Sequence, residues 1–443
     1  MDGPETRYAK SGDLHIAYQV TGEGPFDVVV LPPLYSGVDT LAFDPVYGDF
    51  SRRVTSFARM IVFDPRGTGS SDQIAGAPSL EERSDDVRAV MEGAGSSSAA
   101  MLGASAGAAM SLLFAATYPD KVFALVLFMP QVRYVWAPDF PWAPTREAYE
   151  RKTAQLVRDW ASGDFDANQP YLDTDYELPS RMRRLSASPG TVAALRRMDM
   201  DVDVRSILPA IHVPTVVIFQ PEANSAGNAR YIVDRIPGSQ AVEIAAPEWV
   251  ERVPEILEEF LPQAWQERQQ TRAHPPRVLA TVLFTDLVDS STRATELGPR
   301  WHELLGRHNA AVRQQLARFR GREIDTAGDG FFASGFDGPA RAIRCGCAIR
   351  DAIGDLGLGV RVGVHTGECD IVDGKLSGLA VNIGARVAEQ AGDGEVLVSG
   401  TVKDLVAGSG IAFAARGVRE LKGLGEWPLY EVARSDENGA SET

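Results

Sequence analysis

Short apolar runs alternate with helix-like segments over the first half of the chain. Runs rich in β-branched residues begin the segments 28–34, 60–67 and 124–130, and a further run follows at 215–220. Continuous apolar runs of this length are typical of strands in a parallel sheet that helices cover on both faces. Tryptophans, prolines and charged helical stretches interrupt the pattern at 131–205. This interruption predicts a helical cap inserted over one edge of the sheet.

A polar segment separates this half from a second α/β pattern. Residues 263–277 end in a proline pair and suit a short helix followed by a linker. We therefore predict one domain over residues 1–262 and a second over residues 278–433. The remaining residues, 434–443, are small and polar, and we expect a disordered tail.

The composition is that of a soluble globular protein. Of its 443 residues, 44% are hydrophobic and 23% are charged, so sizeable cores can form. The formal net charge of −16 argues against a protein that coats DNA or anionic lipid. No stretch approaches the roughly 18 consecutive apolar residues of a membrane span, and the N-terminus lacks the apolar core of a signal peptide. We expect a cytoplasmic protein with no membrane span and with reduced cysteines.

Residues 103–107, GASAG, form a G-x-S-x-G pattern between an apolar strand and a helix. A sharp strand-to-helix turn crowds any residue that has a Cβ, which explains the two glycines, and it exposes the serine at a helix N-terminus. With the strand at 28–34 upstream, residues 7–262 resemble the α/β-hydrolase family. The resemblance implies that Ser105 is the nucleophile position and that the Ala106 N–H is one oxyanion donor.

The histidine that this family needs has no evident counterpart. A serine hydroxyl requires a base, and the family places its acid and its histidine after the last strands. Those stretches are residues 221–224 and 246–249 here, and no histidine lies between His212 and His274. We predict a hydrolase-like domain without a complete triad that binds a small apolar ligand or regulates its neighbour. The alternative is an active esterase whose second domain mainly dimerises it.

Two carboxylates and one helix face carry the candidate chemistry of the second half. Asp286 ends an apolar strand, and Asp329 lies in a tight turn between two apolar runs, as in a hairpin. Carboxylates at adjacent strand ends suit hard Mg²⁺ or Mn²⁺ ions, which take further oxygens from water and phosphates. Asn382 and Arg386 are four residues apart and share a helix face. By spacing alone, the two aspartates could equally be ordinary turn residues.

Together these segments and the strand around His365 resemble the catalytic domain of class III nucleotidyl cyclases, over roughly residues 277–433. The resemblance implies an α+β ferredoxin-like fold and a head-to-tail homodimer whose sites take residues from both chains. It gives His365 a structural role. The implied reaction is attack of the ribose 3′-oxygen on the α-phosphorus, with release of pyrophosphate.

The resemblance also implies the roles of individual residues. Asp286 and Asp329, with the Leu287 backbone nearby, match the positions that bind two ions, Mg²⁺ or Mn²⁺. Asn382 and Arg386 match the pair that orients the ribose and stabilises charge on the transferring phosphorus. A further match, Lys422, implies a contact with the triphosphate.

The two positions that read the purine base depart from the adenylate-forming pattern. Adenylate-forming members usually carry Lys four residues before the second metal aspartate and Asp seven before the asparagine, whereas this chain has Asp325 and Lys375. Taken literally, the reversed charges suit guanine, which presents N1–H and O6, better than adenine. Lys375, however, lies in a loop whose alignment can shift by a residue or two, and irregular pairs also occur with ATP. We predict ATP as the substrate, with GTP as the alternative.

Overall fold

The computed structural model describes residues 4–33, 37–41, 45–162, 185–221, 225–245, 248–270, 277–372 and 375–434. The chain divides into two compact units, Met1–Pro275 and Pro276–Thr443. None of the helices in the described ranges combines the length and the hydropathy that crossing a bilayer requires.

The first unit is built on a sheet that has eight strands within the described residues. The strands are β1 Arg7–Ser11, β2 Leu14–Thr21, β3 Asp27–Leu31, β4 Arg59–Phe63, β5 Ala99–Ala104, β6 Val122–Phe128, β7 Thr215–Phe219 and β8 Gln240–Glu243. Their order is β1-β2-β4-β3-β5-β6-β7-β8. Strands β3 to β8 run parallel, whereas β1 and β2 form an antiparallel edge.

Helices cover this sheet because its central strands are apolar on both faces. The helices are α1 Val38–Leu41, α2 Pro45–Val54, α3 Leu80–Gly93, α4 Ala106–Thr117, α5 Arg146–Ser162, α6 Pro189–Asp199, α7 Ser225–Val233 and α8 Trp249–Gln270. Almost every residue of β5, β6 and α4 is buried, as expected for a parallel sheet between helical layers. Helices α5 and α6 form the insertion predicted between the third and fourth apolar runs.

Helix α8 extends into the segment predicted to be a linker. Its buried positions Leu257 and Leu261 lead to Trp265, whose ring centroid lies 5.0 Å from that of Phe123. Because apolar residues continue at helical spacing, the helix runs to Gln270, and the short helix predicted to begin near residue 263 is its last part. The boundary between the units therefore falls at the proline pair that closes the segment.

The second unit holds another sheet, with helices on both faces. Its strands are β9 Arg277–Leu287, β10 Arg322–Ala327, β11 Gly330–Ser334, β12 Val360–Val372, β13 Lys375–Ser377, β14 Val396–Ser399, β15 Phe413–Leu421 and β16 Gly425–Val432. Its helices are α9 Ser290–Leu297, α10 Pro299–Arg318, α11 Pro339–Gly354, α12 Leu379–Glu389 and α13 Gly400–Leu405. The strand order is β10-β11-β9-β12-β14-β16-β15, and β13 pairs with β12.

Glycines let the helices of this unit approach the sheet closely. A Cβ at Gly346 of α11 would lie 2.9 Å from Val362, and one at Gly384 of α12 would lie 2.6 Å from Val282. Val282 and Leu283 are neighbours on β9, are both fully buried and face opposite sides of the sheet. Strand β9 is therefore covered on both faces.

Candidate functional site

The two aspartates predicted to bind metal lie at neighbouring strand ends. Thr285 of β9 pairs with Phe331 of β11 in an antiparallel ladder. One residue further along this register, Gly330 faces Asp286, so the turn that holds Asp329 lies beside the end of β9. Paired strands are about 4.8 Å apart. The fold thus brings the two aspartates to the same end of two neighbouring strands.

Asp286 is paired with a cation that the sequence did not suggest. Arg361 lies directly opposite Asp286 in the β9–β12 ladder. Its guanidinium donates two hydrogen bonds to Asp286 Oδ2, at 3.0 and 2.5 Å. Both side chains are partly exposed, so the pair adds little to stability and can exchange partners readily.

Asp329 occupies the tight turn between β10 and β11. Ala327 and Gly330 form the last pair of the hairpin, and the intervening Gly328 has a φ of +67°, a backbone conformation that favours glycine. Asp329 Oδ2 is buried and has no hydrogen-bond partner among the described residues. A desolvated carboxylate oxygen calls for a cation or a donor beside it.

The residues present fit a hard divalent cation. Asp286, Asp329 and the backbone of Leu287, the last residue of β9, offer only oxygen donors, the kind that Mg²⁺ and Mn²⁺ prefer. The ion pair between Asp286 and Arg361 shows that the Asp286 carboxylate can interact with a cation. Within the described ranges, no three His, Cys, Asp or Glu side chains gather into a complete metal cage. An ion held here would complete its shell with water and substrate oxygens.

Helix α12, which carries Asn382 and Arg386, is seated on the sheet by close contacts. A Cβ at Gly363 of β12 would come within 2.2 Å of the Ala388 backbone, and one at Gly367 within 2.8 Å of Ala380. These contacts fix α12 across β12 and leave its other face to solvent.

The predicted catalytic pair lies on that outer face. Asn382 is exposed, and Arg386 donates to both carboxylate oxygens of Glu389, at 2.5 and 2.7 Å. Neither residue hydrogen-bonds to Asp286 or Asp329 within the described part of the chain. Within the described residues, no hydrogen bond therefore links the two halves of the predicted site in a single copy of the chain.

Asp325, predicted to read the purine, lies on the same face of the sheet as Asp286. Asp325 pairs with Phe332, and Phe332 pairs with Phe284. The two phenylalanine rings stack with centroids 4.6 Å apart and an interplanar angle of 1°. Asp325 is exposed, and its Oδ1 accepts a hydrogen bond from the backbone N–H of Thr326 at 3.0 Å. An acidic group thus borders an aromatic surface.

Lys375, the second predicted purine contact, is described through its backbone alone. It begins β13 and pairs with Val372, near the end of β12 opposite to Arg361. The register does not set Lys375 beside Asp325, which belongs to β10 at the far edge of the sheet order.

The two remaining predicted residues of this unit differ in exposure. Lys422 is exposed in the turn between β15 and β16, where its ammonium group can reach a ligand. His365 is buried, its Nδ1 lies 2.7 Å from Ser399 Oγ, and its ring packs edge-on against Trp427. Burial lowers the pKa of His365 to about 3, so the ring stays neutral and serves packing.

In the first unit, Ser105 occupies a strained turn between β5 and α4. Its φ and ψ are 49° and −110°, a conformation that costs a non-glycine residue roughly 1–3 kcal/mol. The flanking glycines are required by space, because a Cβ at Gly103 would lie 2.3 Å from Ser111 Oγ and one at Gly107 would lie 2.1 Å from the Leu31 carbonyl oxygen. Ala106 is the first residue of α4, where a backbone N–H is free to face an anion.

Neither of the two histidines described in the first unit is placed to activate Ser105. His212 precedes β7 at the amino end of the parallel strands, whereas Ser105 follows the carboxyl end of β5. His15 is the second residue of the antiparallel strand β2, three strand spacings or about 14 Å from β5, and its Nδ1 lies 3.0 Å from Asp72 Oδ2. The expected acid and base positions at 222–224 and 246–247, and His274, lie outside the described residues.

Comparison with known families assigns both units. Residues 48–168 match the family model of the alpha/beta hydrolase fold. Residues 274–433 match that of the Adenylate and Guanylate cyclase catalytic domain. The chain joins an α/β-hydrolase fold to a class III cyclase catalytic domain. Both resemblances inferred from the sequence, and the fold class that follows from them, are confirmed.

Individual proteins resemble parts of the chain. An adenylate cyclase of Lachancea kluyveri is 32% identical over 164 residues, which are 30% of this chain and 9% of that protein. Putative adenylate cyclase 3 of Rhizobium meliloti (strain 1021) is 28% identical over 189 residues, 38% of this chain and 31% of that protein. A bromoperoxidase structure from Bacillus anthracis aligns with a TM-score of 0.49 at 18% identity, covering 58% of this chain and 100% of that one. The chain spans less than a third of the length of either curated relative.

The sequence alone did not indicate that Arg361 pairs with Asp286. Arg361 stands inside an apolar strand pattern, and its relevance comes from its partner across the ladder. The sequence did show that Arg361 and Gly363 are two residues apart on a strand, so their side chains face the same side of the sheet, the side that carries α12. Pairing with Asp286 depends on strand register, which the local pattern does not encode.

Proposed function

We propose that this chain is a nucleotidyl cyclase that converts ATP to cyclic AMP and pyrophosphate. The observation that carries the proposal is the strand register that sets Asp286 beside the turn of Asp329, on the face that also holds Asp325. The two curated relatives bear the names adenylate cyclase and putative adenylate cyclase 3, and this supports ATP over GTP.

Asp286 and Asp329, with the Leu287 backbone, would hold two divalent ions, Mg²⁺ or Mn²⁺. Bound there, the ions supply charge stabilisation at the attacking 3′-oxygen and along the triphosphate. The chain's part is to keep two carboxylates at fixed positions on a rigid sheet edge. Arg361 adds a cation that offsets their mutual repulsion when no ion is bound.

Asn382 and Arg386 would act from a second copy of the chain. Both lie on the solvent-facing side of α12 and have no hydrogen bond to the aspartates among the described residues, so a homodimer that apposes two such faces would complete each site. Arg386 would exchange its exposed partner Glu389 for the transferring phosphorus, at small cost because a surface ion pair is weak. Asn382 would hold the ribose for in-line attack.

In the proposed reaction, one phosphorus–oxygen bond forms and one breaks. The ribose 3′-hydroxyl loses its proton to water, its oxygen forms a bond to the α-phosphorus, and the bond from that phosphorus to the bridging oxygen breaks. Pyrophosphate leaves with the bridging oxygen. Exposed Lys422, in the β15–β16 turn, is free to neutralise charge on the departing phosphates.

GTP is the second candidate substrate, and one observation favours it. The exposed carboxylate of Asp325 borders the stacked rings of Phe284 and Phe332. An acidic group at a base-reading position can accept from guanine N1–H, whereas it faces the acceptor N1 of adenine unfavourably.

For the hydrolase-fold domain we propose a role in ligand binding or regulation without catalysis. Ser105 keeps its strained turn, but the two histidines described in this unit, His15 and His212, do not lie beside it. The ring of Trp249, near the position expected for the base, lies 6.0 Å from that of Phe128, whose carbonyl accepts from the Ser105 N–H at 2.9 Å. This aromatic pair beside the serine favours a small apolar ligand.

Product analysis tests the proposal. The full chain is incubated with Mn²⁺ and with ATP or GTP, and cyclic AMP and cyclic GMP are quantified. We expect cyclic AMP as the main product, and none from the Asp286→Ala variant with an unchanged melting temperature. An excess of cyclic GMP would identify GTP as the substrate, and persistent product in the variant would contradict the metal assignment.

A separate assay tests the first domain. Hydrolysis of p-nitrophenyl esters that Ser105→Ala abolishes would contradict the non-catalytic role of this domain.

A further inference from the structure

Three buried polar atoms without hydrogen-bond partners lie on elements that pack together near the β10–β11 turn. They are Thr285 Oγ1 on β9, His308 Nε2 on α10 and Asp329 Oδ2 in the β10–β11 turn, and the absence of partners holds for the described residues. Thr285 and His308 are almost completely buried. Buried polar groups in proteins are nearly always satisfied, by protein or by ordered water. Three exceptions in one place point to a shared partner.

Phe331 brings the three groups together. Phe331 pairs with Thr285 across the β11–β9 ladder, so their side chains lie on the same face of the sheet. The ring of His308 packs edge-on against that of Phe331, with centroids 5.8 Å apart. Asp329 precedes Phe331 by two residues. Burial lowers the pKa of His308, while the hydrogen bond with Asn309 and the negative charge of Asp329 oppose this shift.

The donors and acceptors of the cluster match one water molecule. His308 Nδ1 lies 3.0 Å from Asn309 Oδ1, an oxygen that only accepts, so Nδ1 carries the proton and Nε2 of the neutral ring is an acceptor. Asp329 Oδ2 is a second acceptor, while the Thr285 hydroxyl can donate. A water that donates to Nε2 and Oδ2 and accepts from Thr285 satisfies all three atoms.

We propose that Thr285 and His308 are positioning residues of the cyclase site, which hold the carboxylate of Asp329 through one buried water. The inference rests on the proposed cyclase function. The water would donate a hydrogen bond to Asp329 Oδ2 and so fix the orientation of the carboxylate, while its remaining lone pairs could bind a divalent ion. Hydrogen bonds to a ligating carboxylate commonly set metal affinity without touching the metal.

Mn²⁺ binding to the full chain tests the inference without turnover. The free Mn²⁺ signal is followed by electron paramagnetic resonance in the presence of 3′-deoxy-ATP, which lacks the attacking hydroxyl. Thr285→Val keeps the shape of the side chain and removes the hydroxyl, and we expect its Mn²⁺ affinity to fall roughly 10-fold. Thr285→Ser, which restores the hydroxyl, should bind Mn²⁺ as the wild type does.

Matched variants separate the possible outcomes. Thr153 of α5 also buries a hydroxyl without a partner among the described residues, and Thr153→Val should leave Mn²⁺ affinity unchanged. Asp329→Ala should lose Mn²⁺ binding; if it binds as the wild type does, the proposed cyclase metal site itself is wrong. If Asp329→Ala loses Mn²⁺ while Thr285→Val binds normally, the positioning role alone is overturned.

His308 gives an independent check. His308→Phe keeps the packing on Phe331 and removes both ring nitrogens, whereas His308→Gln can retain an acceptor. We expect weaker Mn²⁺ binding in the first variant and partial recovery in the second. Equal Mn²⁺ affinity in both variants and the wild type, with only the melting temperature lowered, would assign His308 a purely structural role and overturn the inference.

Discussion

The hydrolase-fold domain and the cyclase domain each place a polar residue at the end of a buried strand, but different interactions hold the two sites. Ser105 is held by packing, because Gly103 and Gly107 allow contacts that any Cβ would block. Asp286 and Asp329 are held by strand register and stand partly exposed. A close-packed turn serves folding whether or not it serves chemistry. Two adjacent carboxylates repel each other, and the proposed divalent ion would offset this repulsion, as Arg361 does at Asp286.

The largest expected effect is a difference in cyclase activity between a variant at the Asp329 site and a variant at Ser105. Asp329→Asn keeps the size of the side chain and removes its charge, and we expect cyclic-nucleotide formation to fall by roughly 10³-fold because charge stabilisation of the triphosphate is lost. Initial rates with Mn²⁺ and ATP measure the effect. Ser105→Ala is the matched control and should change the rate less than about twofold. A large loss in the serine variant would mean that the first domain takes part in the reaction or controls it through this residue.

The next effect concerns stability in the hydrolase-fold domain. An alanine at Gly107 would bring its Cβ within 2.1 Å of the Leu31 carbonyl oxygen, so Gly107→Ala should lower the free energy of unfolding by about 1–3 kcal/mol. Thermal or urea unfolding measures it. Gly190→Ala, whose Cβ would meet only Ser188 Oγ at 3.7 Å, should be neutral or slightly stabilising. Equal stability of the two variants would show that packing does not hold the serine turn.

A smaller effect concerns substrate choice in the cyclase domain. Asp325→Asn keeps the oxygen that accepts from Thr326 N–H and removes the negative charge that we propose faces the base. We expect the ratio of cyclic AMP to cyclic GMP formation to rise about tenfold, since an unmatched polar contact costs about 1–3 kcal/mol. Paired assays with ATP and GTP measure the ratio. An unchanged ratio would mean that Asp325 does not read the purine.

The sequence predicted those features that depend on local pattern. The apolar runs gave the strands, the glycines around Ser105 marked the strand-to-helix turn, and the apolar segments around Asp329 marked a hairpin. Both family resemblances were also correct. These features were accessible because burial and turn chemistry act over a few residues.

Features that depend on contacts between distant segments were not predictable. The pairing of Arg361 with Asp286 joins residues far apart in the chain, and the cluster of Thr285, His308 and Asp329 joins three elements. The short helix predicted after residue 262 is continuous with the preceding helical turns through Pro262, because Trp265 packs on Phe123 and tertiary contacts outweigh a local helix breaker. These contacts are set by strand register and tertiary packing, which the hydrophobic periodicity of the sequence does not reveal.

Complementation between two inactive chains tests most directly the claim that two copies of the chain carry the chemistry in their cyclase domains. Asp286→Ala and Arg386→Ala should each be inactive, because each removes one half of every composite site. In an equimolar mixture of the two full-length variants, random pairing gives mixed dimers with one intact site, and we expect about a quarter of the wild-type activity. A mixture that exchanges subunits yet stays as inactive as its components would contradict the composite site.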